Sequence, residues 1–593
     1  MLKDDLIKLE NSGLISVAQV EPDLEYLFRH GLIQEAAYES MLRQDRKRLH
    51  EQVARGIETL YPERLEEFAP VLALHFDRAA LHAQALGYYI TAGQAALARF
   101  ANTEAEAAFR NALKMASDGG LSEGVAEAYT GLGHVLEHTG RYSEAETNYQ
   151  DMLAAARSHK DQRMELDGLT SLTTIHAHGT VLHDPDKASS YAEQALKLAR
   201  ELGDQLREAS VLWTMLLIHK FTGHASEALV AGEQAREILK GLDQNDPAVA
   251  EQMAYVLNDL GTHAYMDLGR YRDALRVNLE ARPLWKAQNN LPMLVDNLSA
   301  AAMLHMILGE YDANIESSTE ARGIADSIGN PWGQAFSRFQ LGMVQADRGD
   351  FADALQTMNE SIGYASSSGF LVGESVVRGL RGIVLGRLGA IEEGLQSAEH
   401  SYRIATESLP AWSGIGLGVL AWLYARKGDL AQARHYRDEL TRRFENGTIE
   451  HLLYINPYVD ALSGIELTMQ ANNPDAMLAE VEKYLQYTVK TDVRWGISDV
   501  FLCKGMALMM IGDTPGARAA LEESLVEARR IRSRWHLWRT LSFMAEQDED
   551  AGQKHAHHAE AVENLQYVID HAPDDLRAGF VALPEIKAVM GGG

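Results

Sequence analysis

One residue type at one spacing constrains this chain more than any other feature. Alanines recur at Ala105, Ala145, Ala188, Ala228, Ala274, Ala354, Ala433, Ala476, Ala517 and Ala556, with Asn314 and Gly394 filling two vacant rungs. The steps cluster at about 40 residues, the period of stacked helical hairpins. Most rungs follow a shared phrase: Gly140-Arg141-Tyr142, Gly269-Arg270-Tyr271, Gly309-Glu310-Tyr311, Gly349-Asp350-Phe351 and Gly428-Asp429-Leu430. Each reads as a glycine that ends a first helix, a polar residue, and an apolar residue that opens a second. The small rung residue then lets the second helix approach the first closely.

A second small position supports the pattern. Seven places before each turn glycine stand Gly133, Thr262, Ala302, Gly342, Gly382, Ala421 and Gly505. Slim residues there mark a close crossing of two helices, since bulk would separate the axes. Asp184-Pro185-Asp186 and Asn473-Pro474-Asp475 replace the glycine phrase before Ala188 and Ala476, and both break helices. The longer step from Ala228 to Ala274 is absorbed by a loop at residues 241–247. The pattern predicts an all-α, right-handed superhelical solenoid of 11 or 12 hairpins.

Composition narrows the function classes. The 593 residues carry a formal net charge of −29, which disfavours a general nucleic-acid surface. The single cysteine, Cys503, cannot form a disulfide within the chain and suits a reducing compartment. No stretch approaches the roughly 20 apolar residues of a membrane span. The opening Met1-Leu2-Lys3-Asp4-Asp5 lacks the apolar core of a signal peptide, so a cytoplasmic location is expected.

The first 62 residues read differently from the array at 63–593. Leu6-Ile7-Lys8-Leu9 ends a short amphipathic helix, and Ile15-Ser16-Val17 and Tyr26-Leu27-Phe28 form two strands around a Glu21-Pro22-Asp23 turn. One long helical stretch is then expected through Ile33, Ala37, Leu42, Leu49, Val53 and Ile57, with Arg43, Arg46, Lys47 and Arg48 on its polar side. Helix, hairpin, helix is how a winged-helix module ends. The segment is too short for a whole one, which predicts that the chain begins inside a domain. The basic helix is expected to contact a neighbouring module rather than DNA.

That segment resembles a known junction. Tyr26-Leu27-Phe28-Arg29-His30, Leu32-Ile33-Gln34-Glu35-Ala36-Ala37-Tyr38 and Arg46-Lys47-Arg48-Leu49-His50 look like the passage into the repeats of bacterial STAND signalling ATPases. In one subset of that family a class III adenylate or guanylate cyclase precedes the ATPase, a winged helix follows, and a tetratricopeptide-type superhelix comes last. Residues 94–116 and 535–590 are similar to the first repeats and the carboxyl end of such proteins. The resemblance implies a regulatory half, attached to or associated with an ATPase or cyclase. No G-x-x-x-x-G-K-[ST] phosphate loop occurs, nor any Gly-Lys dipeptide, so no catalytic residue carries over and no cofactor is expected.

Several side chains invite a site reading. His176, His178 and His183 beside Asp184 are metal-ligand types, but His176 and His178 point to different sides of a helix. His555, His557 and His558 sit on what reads as a solvated stripe, and Cys503 as a buried thiol without a base. A metal site is therefore not expected. Trp332, Trp412 and Trp495 stand 16 or 17 places before Gly349, Gly428 and Gly512, early in three first helices. First helices line the concave wall of a superhelix, so these rings either fill the seams between hairpins or form an aromatic stripe for a ligand. Arg338, Arg378, Arg381 and Arg494 lie in or near the same helices; they either recognise an acidic group or pair with the chain's own carboxylates.

These features predict a non-catalytic sensor scaffold that binds a protein partner, a peptide or a small effector and controls an ATPase or cyclase. A ligand bridging several repeats is expected to change the curvature, on the premise that each unit touches only its neighbours. Two other classes compete. One is the effector-binding part of a STAND-type transcription activator, which needs a DNA-reading helix-turn-helix where only Gly591-Gly592-Gly593 remains after Met590. The other is an enzyme built on the helical array itself.

Overall fold

A computed structural model describes residues 2–19, 25–99, 101–177, 182–449 and 454–591. The Glu21-Pro22-Asp23 turn, His178 and Gly592-Gly593 lie outside these residues. The chain forms two compact units, Met1–Asp204 and Gln205–Gly593. Both are helical repeats, and the described residues are all-α apart from one small hairpin. No helix among the described residues is long and apolar enough to cross a membrane.

The first unit opens with the helix Leu2–Asn11 and two antiparallel strands, Ile15–Gln19 and Glu25–Phe28, with Ile15 opposite Phe28. The expected single long helix is two helices, Gly31–Ser40 and Arg43–Leu60. Met41 and Leu42 between them take extended backbone, which ends the hydrogen-bonded ladder. Arg46 pairs with Glu39 at 3.0 Å and Arg48 with Asp45 at 3.2 Å, so part of the basic face is neutralised locally. Ala54 packs with Leu72, Phe76, Leu86 and Met115 into this unit's core.

Twelve helical hairpins follow among the described residues, three in the first unit and nine in the second. Their turns are built as the sequence predicts. Gly140 and Gly349 have φ of +74° and +102°, a region that strains any residue with a Cβ. Asp184 and Asn473 act as N-caps instead, accepting hydrogen bonds from Lys187 N and Ala476 N, with proline next in line. At the close crossing, a Cβ on Gly382 would lie 3.0 Å from Val419 and 3.2 Å from the Gly394 carbonyl oxygen. Asn314 uses its rung differently: fully buried, its Nδ2 donates to the Ala302 carbonyl at 2.7 Å.

The second unit departs from one expectation. Its repeats do not touch only their neighbours. Tyr271 Oη meets Tyr487 Oη at 3.2 Å, and Arg272 pairs with Asp492. Arg494 N donates to Ile307 O, and Arg530 to Gly309 O. Ser533 Oγ donates to Asp347 O, and Tyr567 Oη to Asp350. These partners stand between 186 and 221 residues apart, so the array winds back onto itself along a seam. A purely nearest-neighbour spring is thereby excluded for this unit.

Candidate effector cavity

The second unit also holds a half-open cavity of about 300 Å³. Its wall comes mainly from four successive first helices, Ser413–Lys427, Ile455–Gln470, Ile497–Met510 and Arg534–Gln547. The short terminal helices Asp574–Val581 and Pro584–Gly591 complete it with Phe580, Ile586 and Val589. Trp422, Trp535 and Trp538 contribute aromatic surface, and Met469, Met506 and Phe543 contribute flexible apolar surface.

One edge of the cavity is a closed ring of hydrogen bonds. Asp347 pairs with Arg387 at 2.7 Å, and Arg387 reaches Asp499 at 3.5 Å. Asp499 also takes His536 Nε2 at 3.0 Å and is paired with Arg539. His536 Nδ1 meets Ser533 Oγ at 2.6 Å, and Ser533 returns to the Asp347 carbonyl at 2.5 Å. Tyr311 Oη donates to Asp347 at 2.6 Å. Burial alone would raise the Asp499 carboxyl, yet the charges of His536, Arg539 and Arg387 hold it well below the usual carboxylate range. Arg387 is likewise held charged against burial, chiefly by Asp347. The guanidinium groups of Arg387 and Arg539 both lie over the Trp535 ring, at 5.3 and 5.5 Å from its centre.

Other groups at the cavity have capacity to spare. The indole Nε1 atoms of Trp535 and Trp538 and the Nε of Arg426 are buried without a partner among the described residues. A buried donor left unsatisfied costs roughly 1–3 kcal/mol. Cys503 also lines the cavity, and burial pushes its thiol up to about 12. It is a poor nucleophile at neutral pH.

The seven side chains picked out in the sequence sit elsewhere, most of them with partners of their own. None of them lines this cavity. Trp332 packs edge-on against Phe336 and at a tilt against Phe370, both at 5.2 Å between ring centres. Trp412 is half-buried in the short turn Pro410–Trp412. Trp495 is buried 4.0 Å from the Tyr458 ring, and its carbonyl accepts from Tyr484. Arg338 is buried between Glu360 and Asp326 and lies over Tyr364. Arg378 pairs with Glu374, and Arg494 with Glu527. Arg381 is half-buried; burial lowers its pKa, and its Nε has no partner among the described residues.

No three side chains that ligate metals converge among the described residues. His176 is buried with Nδ1 on Leu182 O, and His557 is paired with Asp548. Sequence reasoning passed over Trp422, Trp535, Trp538, Arg426 and Asp499. One signal for them was present: Trp535, Trp538 and Arg539 fall at helical spacing on one face.

Comparison with known proteins agrees on the repeat. Residues 126–159 match the tetratricopeptide repeat, and they coincide with the hairpin Val125–His138 and Tyr142–His159. Among curated proteins, none matches this sequence. Among solved structures the chain is similar to a Rap protein complexed with Competence and Sporulation Factor, at 9% identity and a TM-score of 0.47 over 63% of this chain and 99% of that one. It is also similar to the apo form of RapI, at 11% identity and 0.46 over 62% and 98%. A third is a STAND protein with a tetratricopeptide repeat sensor from Pyrococcus horikoshii, at 14% identity and 0.43 over 74% and 59%. The chain spans about three fifths of that last protein's length. The tetratricopeptide-like assignment itself rests on the matched hairpin and on the recurring helix pairs.

Proposed function

We propose that this chain is a non-catalytic sensor scaffold whose second unit receives a small effector or a short peptide segment in the cavity beside Trp422, Trp535 and Trp538. The observation that carries this reading is a half-open, mostly apolar space walled by three tryptophans with a few charged groups at its edge, the mixture that ligand sites use to combine affinity with orientation. The Rap protein above is complexed with Competence and Sporulation Factor, and the STAND protein carries a tetratricopeptide repeat sensor; both fit the same reading.

Control of an attached or associated ATPase or cyclase follows from the resemblance of residues 26–50 to the STAND junction. On this reading residues 1–62 are the winged-helix remnant and residues 63–593 the sensing array. The hydrogen-bonded ring supplies the coupling in place of free curvature, because Asp347 and Ser533 belong to the seam while Asp499 and Arg539 border the cavity. A ligand that shifts Arg539 or Trp535 thereby loads the seam.

A thermal-shift screen of metabolites and peptides tests the cavity. A binder at about 100 times its Kd stabilises by roughly 2.7 kcal/mol. Binders are expected to stabilise the wild type and not Met506→Trp, which fills the space. Equal shifts in both proteins would place binding elsewhere. Purified chain is expected to show no nucleotide hydrolysis or cyclisation, and robust turnover without partners would overturn the non-catalytic reading.

A further inference from the structure

The charged groups around the cavity are unevenly satisfied. Arg387 and Arg539 are engaged by Asp499, and Arg387 also by Asp347. Arg426 is not. Its guanidinium makes no hydrogen bond among the described residues; its nearest carboxylates are Glu585 at 3.5 Å and Glu466 at 3.9 Å. Its Nε is buried without a partner, while the group lies over the Trp422 ring at 5.4 Å. A guanidinium over an aromatic face, held by its carboxylate neighbours at ion-pair range without a hydrogen bond, is suited to a planar carboxylate that comes closer.

The chain itself presents an imitation of such a ligand. Glu585 stands in the first turn of Pro584–Gly591, directly before Ile586, which is 1% exposed and lines the cavity. Val589, one turn later, lines it too. A carboxylate next to Arg426 and an apolar body inside the cavity are thus supplied in cis, and the carboxylate holds the fork at 3.5 Å as an ion pair without a hydrogen bond. Glu466 and Glu546 also border the space. Their negative charge disfavours a dianion such as a phosphate monoester and leaves room for a monoanion.

We propose that the cavity recognises a small apolar monocarboxylic acid, whose carboxylate replaces Glu585 on Arg426 and whose hydrocarbon body rests on Trp422, Met469, Met506 and Phe543. This rests on the reading of the cavity as the recognition site. Glu585 then acts as a weak internal competitor, and the terminal helix gives way at its first turn when the ligand enters. No bond is made or broken; recognition is by charge, shape and desolvation.

Isothermal titration of the full chain with decanoate and decanol, kept below micelle-forming concentrations, tests this. Decanoate is expected to bind one to one and decanol about tenfold more weakly or less, since a charge-assisted hydrogen-bonded pair supplies that much. Arg426→Ala is expected to erase the difference between the two probes and Arg426→Lys to keep only part of it, with helicity by circular dichroism confirming that each variant is folded. Glu585→Gln is expected to tighten decanoate several-fold and leave decanol unchanged. Equal affinity of the two probes for the wild type overturns the proposal while leaving the cavity reading in place. Retention of the full difference in both Arg426 variants also overturns it. If neither probe binds, the proposal fails, and the cavity reading then stands or falls on the Met506→Trp comparison.

Discussion

Replacing Asp499 by Asn takes one charge from the centre of the buried ring and puts an amide in its place. The carboxylate accepts from His536 and Arg539 and faces Arg387. An asparagine of the same shape keeps one acceptor oxygen but turns an N–H₂ group toward guanidinium groups that only donate. Breaking a buried ion pair by removing one partner costs about 3–5 kcal/mol. Asp347 remains on Arg387 at 2.7 Å and recovers part of that loss, so the expectation for Asp499→Asn is the lower end, about 3 kcal/mol.

The loss should also depend on pH with a definite sign. The folded carboxyl is held well below its unfolded value near 3.9, so its contribution is complete above about pH 5 and declines as pH falls toward the depressed folded value. Urea unfolding followed by tryptophan fluorescence reads this directly, because Trp535 and Trp538 lie beside the ring. The gap between wild type and variant is expected to be widest at pH 7 and to shrink by pH 3. A gap under about 1 kcal/mol at pH 7, or one that is the same at both pH values, would refute the electrostatic account of the ring.

Three more outcomes are expected. Gly382→Val should lower stability by about 1–3 kcal/mol in thermal unfolding, because the crossing with Val419 and Gly394 has no room for its side chain; an unchanged melting temperature would mean that the hairpins separate freely. Burial raises Asp296 to about 6, opposed by a hydrogen bond from Asn258 and reinforced by the Asp259 charge. An acid whose folded value is raised favours the folded state at low pH and loses that advantage as pH rises through about 6, so Asp296→Asn should be more stable than wild type at pH 7.5, by about 1–2 kcal/mol, and less so at pH 5; stability curves over that range decide it. With its thiol raised to about 12, Cys503 should react with Ellman's reagent at pH 8 at least a thousandfold more slowly in native protein than in urea, roughly in proportion to its thiolate fraction; comparable rates would show that the thiol is not desolvated.

Much of the fold was legible in the residues because its signals are local. A turn glycine, a slim crossing residue and a small rung lie within about a dozen positions of one another, and each acts on the two helices it joins. Asn314 and Gly394 fit the ladder for reasons of their own, one by bonding the Ala302 carbonyl and the other by sheer closeness to Gly382. The break at Met41-Leu42 was hidden, since neither residue is a helix breaker and apolar spacing continues across it. Spacing from the turn glycine drew attention to Trp332, Trp412 and Trp495, but that distance locates a residue along a helix without saying which way the helix is rolled.

Amino-acid order alone therefore determined that this chain is a stack of close-packed helix pairs, where each turn falls, and which small residues hold each pair together. Tertiary structure decided that residues 186 to 221 positions apart meet, that Asp347, Arg387, Asp499, His536 and Ser533 close into one ring, and that Trp422, Trp535 and Arg426 border a cavity. The physical reason is cumulative geometry. Each hairpin adds a small rotation, and only after several have been summed does one part of the wall arrive opposite another, at a distance over which no local pattern in the chain carries information.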